Sequence, residues 1–209
     1  MENWEADKIV DSDVTVEESM SEEYGIESTY QEKHPLLRGI ISLVTCVAIA
    51  VGLSFVITKF VAVHTSVEGR SMESSLQNAD RLIVEKMSYY FREPERFEIV
   101  VFPYNEEVNY IKRVIGLPGE TIQIKDGAVY INGAKLDDPY AKVAMEDAGI
   151  AAEPLTLGED EYFVLGDNRN ASSDSRKRDV GVIKKERITG RAWLRIYPFD
   201  RFSLISSMK

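Results

Sequence analysis

Twenty consecutive residues without a charge, from Gly39 to Thr58, constrain this chain more than any other feature. At about 1.5 Å of rise per residue, a helix of that length spans roughly 30 Å, the thickness of a bilayer's hydrocarbon core. A buried helix of a globular core is the competing reading, but most such helices are shorter. A cleaved leader fits poorly, because the stretch starts far from residue 1, its apolar part is too long, and no small-x-small site closes it. The sequence therefore predicts one transmembrane helix within residues 36–60. Charge alone does not orient it: Lys33 and Arg38 flank one end, Lys59 and Arg70 the other.

Composition differs on the two sides of the stretch. Residues 1–35 carry eleven acidic side chains against Lys8 and Lys33, which leaves 24 acidic and 23 basic residues for the rest. With few apolar residues and no sustained period, this head reads as a disordered acidic tail. Residues 61–209 have room for one domain of nearly balanced charge. No basic run occurs there, so nucleic acid is not expected as a partner. Cys46, the only cysteine, lies inside the apolar stretch, and no intrachain disulfide can staple that domain.

The domain reads as mainly β. Ala62–Val67, Arg81–Lys86, Glu98–Phe102 and Val108–Ile115 are rich in β-branched or aromatic residues, as are Glu161–Leu165 and Ile188–Ile196. Thr121–Ile124 and Val129–Ile131 bracket Asp126-Gly127, and Asn132-Gly133 follows, both strong hairpin signals. Gly116-Leu117-Pro118-Gly119 is a turn. Residues 135–160, with scattered Asp, Glu, Pro and Gly, read as a surface insert with room for a short helix at Ala141–Ala148.

Beyond His64 the chain has no histidine and no cysteine. A Ser-His-Asp triad, a Cys-His pair, and a thiolate or imidazole metal site are all excluded from that region. No metal and no cofactor is expected. A serine nucleophile with a lysine base is the remaining precedent. Ser71, in Gly69-Arg70-Ser71-Met72, lies about a dozen residues past the apolar stretch. Gly69 would let the backbone curl so that main-chain N–H groups, that of Ser71 included, face a reacting carbonyl oxygen. On an extended strand, Tyr110, Lys112 and Val114 share one face, while Ile111, Arg113 and Ile115 share the other. Buried against apolar surface, Lys112 would lose its proton readily; Arg113 would not. Within Gly166-Asp167-Asn168-Arg169-Asn170-Ala171-Ser172-Ser173-Asp174-Ser175-Arg176, Ser172 could orient the amine. Asp167 and Asp174 would then be held by Arg113 and Arg176.

These pieces, in this order, resemble the type I signal peptidase family. Ser71-Met72-Glu73-Ser74-Ser75-Leu76 is similar to its nucleophile box, normally Ser-Met-x-Pro-Thr-Leu, and Asp80–Lys86 resembles the box that follows. Tyr110-Ile111-Lys112-Arg113-Val114-Ile115-Gly116-Leu117-Pro118-Gly119-Glu120 is nearly a direct match to the lysine box. Gly166-Asp167-Asn168-Arg169 with Ser172, Asp174, Ser175 and Arg176 resembles the last box. Departures are Ser74 and Ser75 for Pro and Thr, Asn170 and Ala171 for Asp and Asn, and Gly69 where some relatives place an oxyanion-binding serine.

The resemblance implies an antiparallel catalytic β domain with a short insert, as in compact single-span Gram-positive members. It implies a membrane-anchored endopeptidase that removes signal peptides from exported preproteins after small residues at −1 and −3. Ser71 would be the nucleophile and Lys112 the base, with Val67, Met72, Leu76 and Ile111 contacting substrate. Signal peptides, membrane lipid and the export translocon are the implied partners. Since cleavage sites emerge on the outer face, the resemblance places the acidic tail in the cytoplasm and the catalytic domain outside. Two alternatives stand beside it. A self-cleaving repressor would need a DNA-binding head in place of the tail and span. A catalytically impaired binding protein is suggested by the altered boxes.

Overall fold

The computed structural model describes residues 35–57 and 62–205. The acidic segment and the end of the predicted span, from Thr58 onward, lie outside them. Helix α1 runs Pro35–Val56, starting four residues before the uncharged stretch. A proline suits that first position, where a helix has no use for an N–H donor. The side chains from Leu36 to Ile57 are exposed on every face, and Leu36–Val56 has a mean hydropathy of 2.4. A helix apolar all round and exposed along its length calls for lipid as its solvent.

The rest is antiparallel β structure, described by itself. Its strands are β1 (Ala62–Ser66), β2 (Arg81–Glu85), β3 (Ile99–Pro103), β4 (Asn109–Gly116), β5 (Thr121–Lys125) and β6 (Ala128–Ile131). Then come β7 (Ala134–Lys135), β8 (Leu155–Thr156), β9 (Glu161–Leu165), β10 (Ile183–Lys184), β11 (Gly190–Tyr197) and β12 (Ser203–Leu204). A single helical turn, α2 (Ser88–Phe91), follows β2. One sheet has the order β1-β2-β11-β3-β4-β9-β10, with β12 on β11; a second has the order β7-β6-β5-β8. Both predicted hairpins form as two-residue turns, Lys125 facing Ala128 and Ile131 facing Ala134. Asp126 and Asn132 take φ of 50°, and Gly127 and Gly133 take 72° and 82°. Two successive positive φ values give the turn a twist that matches its strands.

β3 and β4 lie at the centre and are buried on both faces. Ile99 and Val101 of β3 pack with Ile111, Val67, Met72 and Leu76 in one apolar cluster. Val100 and Phe102 turn the other way and pack with Val114, Tyr162 and Val164. A third cluster joins the second sheet to the first through Ile115, Ile122, Val129 and Phe163. Each such side chain contributes about 1.5–3 kcal/mol on burial, enough to make the middle of β4 a rigid platform.

Residues 135–160 depart from expectation. No α-helix forms over Ala141–Ala148; the segment is irregular with two bends, followed by a 3-10 turn at Gly149–Ala151. Nor is it merely a surface excursion. Tyr140, Met145, Ala151 and Leu157 are buried, the last three within the third cluster. The segment's few apolar residues dock on the neighbouring sheet without needing a helical period.

Candidate active site

The turn after β1, the middle of β4 and the loop after β9 meet at one place. On β4, Lys112 faces Val100 across the ladder and is only 4 % exposed. Its Nζ donates to Ser71 Oγ at 2.9 Å and to the Ile111 carbonyl at 3.1 Å. The Tyr110 ring centroid is 4.6 Å away. Burial lowers the Lys112 pKa from 10.5 to about 8, against a smaller upward pull from the Asp174 carboxylate. The neutral fraction at pH 7 thereby rises from about one in three thousand to about one in ten. A neutral amine at this distance can receive the serine proton.

Ser71 is held by a framed turn. Val67 N–H donates to Asp80 O and Ala79 N–H to Val67 O, both at 2.8 Å, which closes the loop at its base. Ser75 and Leu76 N–H both donate to Met72 O. Met72 and Leu76 sink into the core below. Gly69 takes φ +87°, but its N–H donates to Asn78 Oδ1 at 2.9 Å. It therefore shapes the turn and does not offer its own N–H to a reacting oxygen. The Ser71 N–H has no acceptor among the described residues.

The loop after β9 grips this turn from the other side. Asn168 N–H donates to Ser71 O at 3.0 Å, and Asn168 Nδ2 donates to Arg70 O at 3.2 Å. A Cβ at Gly166 would sit 2.5 Å from Ser71 O and closer still to Ser172 Oγ, so only glycine permits the approach. Both expected ion pairs form, each through two bonds. Arg113 donates to Asp167 at 2.7 and 2.6 Å, and Arg176 to Asp174 at 2.8 and 2.9 Å. Gly166 N–H and the Arg176 N–H also donate to Asp174, at 3.0 and 3.3 Å. Asp174 is thus satisfied by its own partners and weakly felt at Lys112.

The expected Ser172–Lys112 hydrogen bond is absent. Ser172 Oγ is buried against Gly166 and has no hydrogen-bond partner among the described residues, while the Lys112 amine is taken up by Ser71 and Ile111. A cleft of about 470 Å³ opens over the serine, walled by His64–Met72, Glu107–Lys112, Ala171 and Ser173. Val67, Met72 and Ile111 reach it. Leu76 does not: it lies in the core behind and borders a smaller hollow.

Several supporting residues escaped the sequence reading. Ser75 Oγ accepts from Arg113 at 3.0 Å, and the Tyr140 ring lies 3.3 Å from the Arg113 guanidinium carbon. Arg169, fully buried, is paired with Asp138 at 2.6 Å. Asn168 stood in a recognised box, and its neighbours hinted at it. For Tyr140 and Asp138, in the insert, nothing local did. Among the described residues no cluster of His, Cys, Asp and Glu could hold a metal ion.

Residues 40–197 match the family model described as signal peptidase, peptidase S26. The chain belongs to the signal peptidase family. A signal peptidase I of Bacillus licheniformis is 39% identical over 165 residues, 75% of this chain and 88% of that one. A Synechocystis protein described as a probable signal peptidase I-2 is 41% identical over 174 residues, covering 79% and 75%. A solved signal peptidase I from Enterococcus faecalis, 36% identical, covers 48% of this chain and 97% of its own, with a TM-score of 0.41. Membership makes the chain a signal peptidase I serine protease, and its apolar helix makes it a membrane protein. Signal peptidases I act on the signal peptides of preproteins.

The departures from the family boxes can now be placed. Ser74 has φ +94°, a value proline cannot adopt, so this turn follows a path the usual residue would forbid. Ser75 keeps the hydroxyl of the usual threonine and uses it on Arg113. Asn170 accepts from Glu146 N–H and donates to Ala144 O, tying the insert to the site loop. Ala171 lines the cleft.

Proposed function

We propose that Ser71 is the nucleophile and Lys112 the general base of signal peptide cleavage. The observation that carries this reading is the buried Lys112 amine 2.9 Å from Ser71 Oγ, in a cleft with room for a peptide. As Oγ attacks the scissile carbonyl, the neutral amine takes its proton. The Ser71 N–H donates to the developing oxyanion. The resulting ammonium then protonates the departing amine, and a water deacylates the serine by the reverse relay.

The backbone supplies a seat for the substrate. Among the described residues β1 pairs only with β2, and β4 meets β9 only from Arg113 onward, so Asn109–Lys112 keep a free edge there. Both edges border the cleft. An extended peptide laid along them gains main-chain hydrogen bonds, with alternate side chains directed inward. Val67, Met72 and Ile111 close the floor where the −1 residue would enter, which favours small side chains at −1 and −3. Ser172 supports the amine only if its hydroxyl turns toward Lys112 once substrate is bound. Arg113, Asp167, Asp174 and Arg176 hold the frame. We place α1 across the membrane once, with the acidic tail cytoplasmic, the domain outside, and lipid and the export translocon as neighbours.

A catalytically impaired binding protein is not favoured, because none of the altered positions disturbs the Ser71–Lys112 contact. Ser71→Ala and Lys112→Ala should each abolish cleavage of a preprotein by the detergent-solubilised enzyme. The double variant should be no worse than either single, since residues acting as one unit are not additive. Turnover persisting in a folded single variant would exclude that residue from the chemistry.

A further inference from the structure

The Tyr110 ring, which contacts the Lys112 amine, is itself held by a residue outside every recognised box. Tyr104 lies just beyond β3, on the loop that leads back into β4. Its ring is parallel to that of Tyr110, 4° between planes and 4.5 Å between centroids. Its hydroxyl donates to Asp179 Oδ2 at 3.1 Å, from the segment that follows the site loop. Phe102 meets Tyr110 edge-on at 6.1 Å. Tyr110 lines the cleft and therefore stands between the amine and open solvent on that side.

We propose that Tyr104 is a positioning residue for the reaction: stacked on Tyr110 and moored by Asp179, it keeps the Tyr110 ring against the Lys112 amine and water away from it. This rests on the reading of Lys112 as the base. Charged groups near the amine do not provide that control. Asp174 is bound by Arg176 and Gly166 N–H; Arg113 points to the opposite face and is paired with Asp167. Glu107, His64 and Arg70 stand on the cleft walls.

Two effects of the ring oppose each other. An aromatic face attracts an ammonium, which raises its pKa by about a unit to a unit and a half when desolvated. Exclusion of water disfavours the ammonium, and burial has brought the pKa from 10.5 down to about 8. The ring is one wall of that burial, and the proposal requires its exclusion of water to outweigh its attraction for the ammonium, which the direction of the shift below tests. Loosening the ring therefore admits water and restores the ammonium.

The test compares wild type with Tyr104→Ala and Tyr104→Phe by two measurements. The first is the pH profile of kcat/KM on a fluorogenic signal peptide substrate. In Tyr104→Ala the rising limb should move up by about one unit, so that activity falls about tenfold at pH 7 and converges with wild type at high pH. Tyr104→Phe, which keeps the stack, should move less. The second is the pH dependence of Lys112 labelling by an amine-reactive reagent, read by mass spectrometry in a Ser71→Ala background, where no catalysis is needed. Its midpoint should rise in Tyr104→Ala. An unchanged labelling midpoint in folded Tyr104→Ala, or a rate lowered equally at every pH, overturns the proposal. A labelling midpoint that rises while the activity profile stays put supports the action of Tyr104 on the amine and refutes Lys112 as the base.

Discussion

At the scale of single residues, Lys112 sets the fold against its chemistry. Its pKa in the folded chain is about 8, below the 10.5 of an exposed lysine. Below pH 8 the folded state therefore holds an ammonium that its surroundings disfavour, a cost of about 3 kcal/mol. That cost fades as pH climbs from about 8 and is gone above 10.5, so this residue makes the fold more stable in alkali. Activity should rise across the lower part of the same range, as the neutral base accumulates. Methionine matches the stem of lysine and carries no charge. Lys112→Met should thus be inactive yet more stable at pH 7 by about 1–3 kcal/mol, the lower figure allowing for the lost bond to Ser71. Denaturant unfolding at pH 7 and pH 10.5 checks this: the gap between the two proteins should narrow at the higher pH.

At the scale of elements, what holds the site is a set of buried ion pairs centred on the loop after β9: Arg113–Asp167 ties it to β4, Arg169–Asp138 to the insert, and Arg176–Asp174 braces it internally. Asp174 accepts two bonds from the Arg176 guanidinium, a longer one from the Arg176 N–H and one from Gly166 N–H, and is itself fully buried. Asp174→Ala would strand a buried guanidinium and an amide, and breaking a buried pair typically costs about 3–5 kcal/mol. Melting temperature and turnover should fall together in that variant, which paired thermal unfolding and cleavage assays would read. Ser172→Ala removes a hydroxyl that has no hydrogen-bond partner among the described residues and should melt close to wild type. Much of this scale was legible in the residues. Runs rich in β-branched and aromatic residues, with the Asp-Gly and Asn-Gly turns, locate the longer strands to within a residue or two. Charge complementarity within the recognised boxes pointed to Arg113 with Asp167 and Arg176 with Asp174. The two-residue strands β7, β8, β10 and β12 were invisible, because a pair of residues has no period and owes its conformation to the strand beside it. The insert misled for a related reason. Its polar composition suggested solvent, yet Tyr140 and Asp138 are drawn in by Arg113 and Arg169, partners about thirty residues away. The absent Ser172–Lys112 bond teaches the same lesson at closer range: residue types show which bonds can form, and packing decides which do.

At the scale of the whole molecule, an acidic segment, an apolar helix and a nearly neutral β domain follow one another along the chain. The helix exposes apolar side chains along its whole described length. Orientation is where charge falls silent, with two basic residues flanking each end of the uncharged stretch. Function supplies the missing constraint. A signal peptide reaches its processing site after the preprotein has crossed the membrane, so a cleft that cuts it serves only on the outer side. Sealed right-side-out vesicles carrying the chain with an N-terminal epitope provide the check. Added protease should digest the domain beyond residue 61 while the epitope survives until detergent opens the vesicles. The reverse pattern, a protected domain and a vulnerable epitope, would put the Ser71 cleft on the cytoplasmic side. There the peptide it is proposed to cut has not yet emerged, and the orientation proposed above would have to be abandoned.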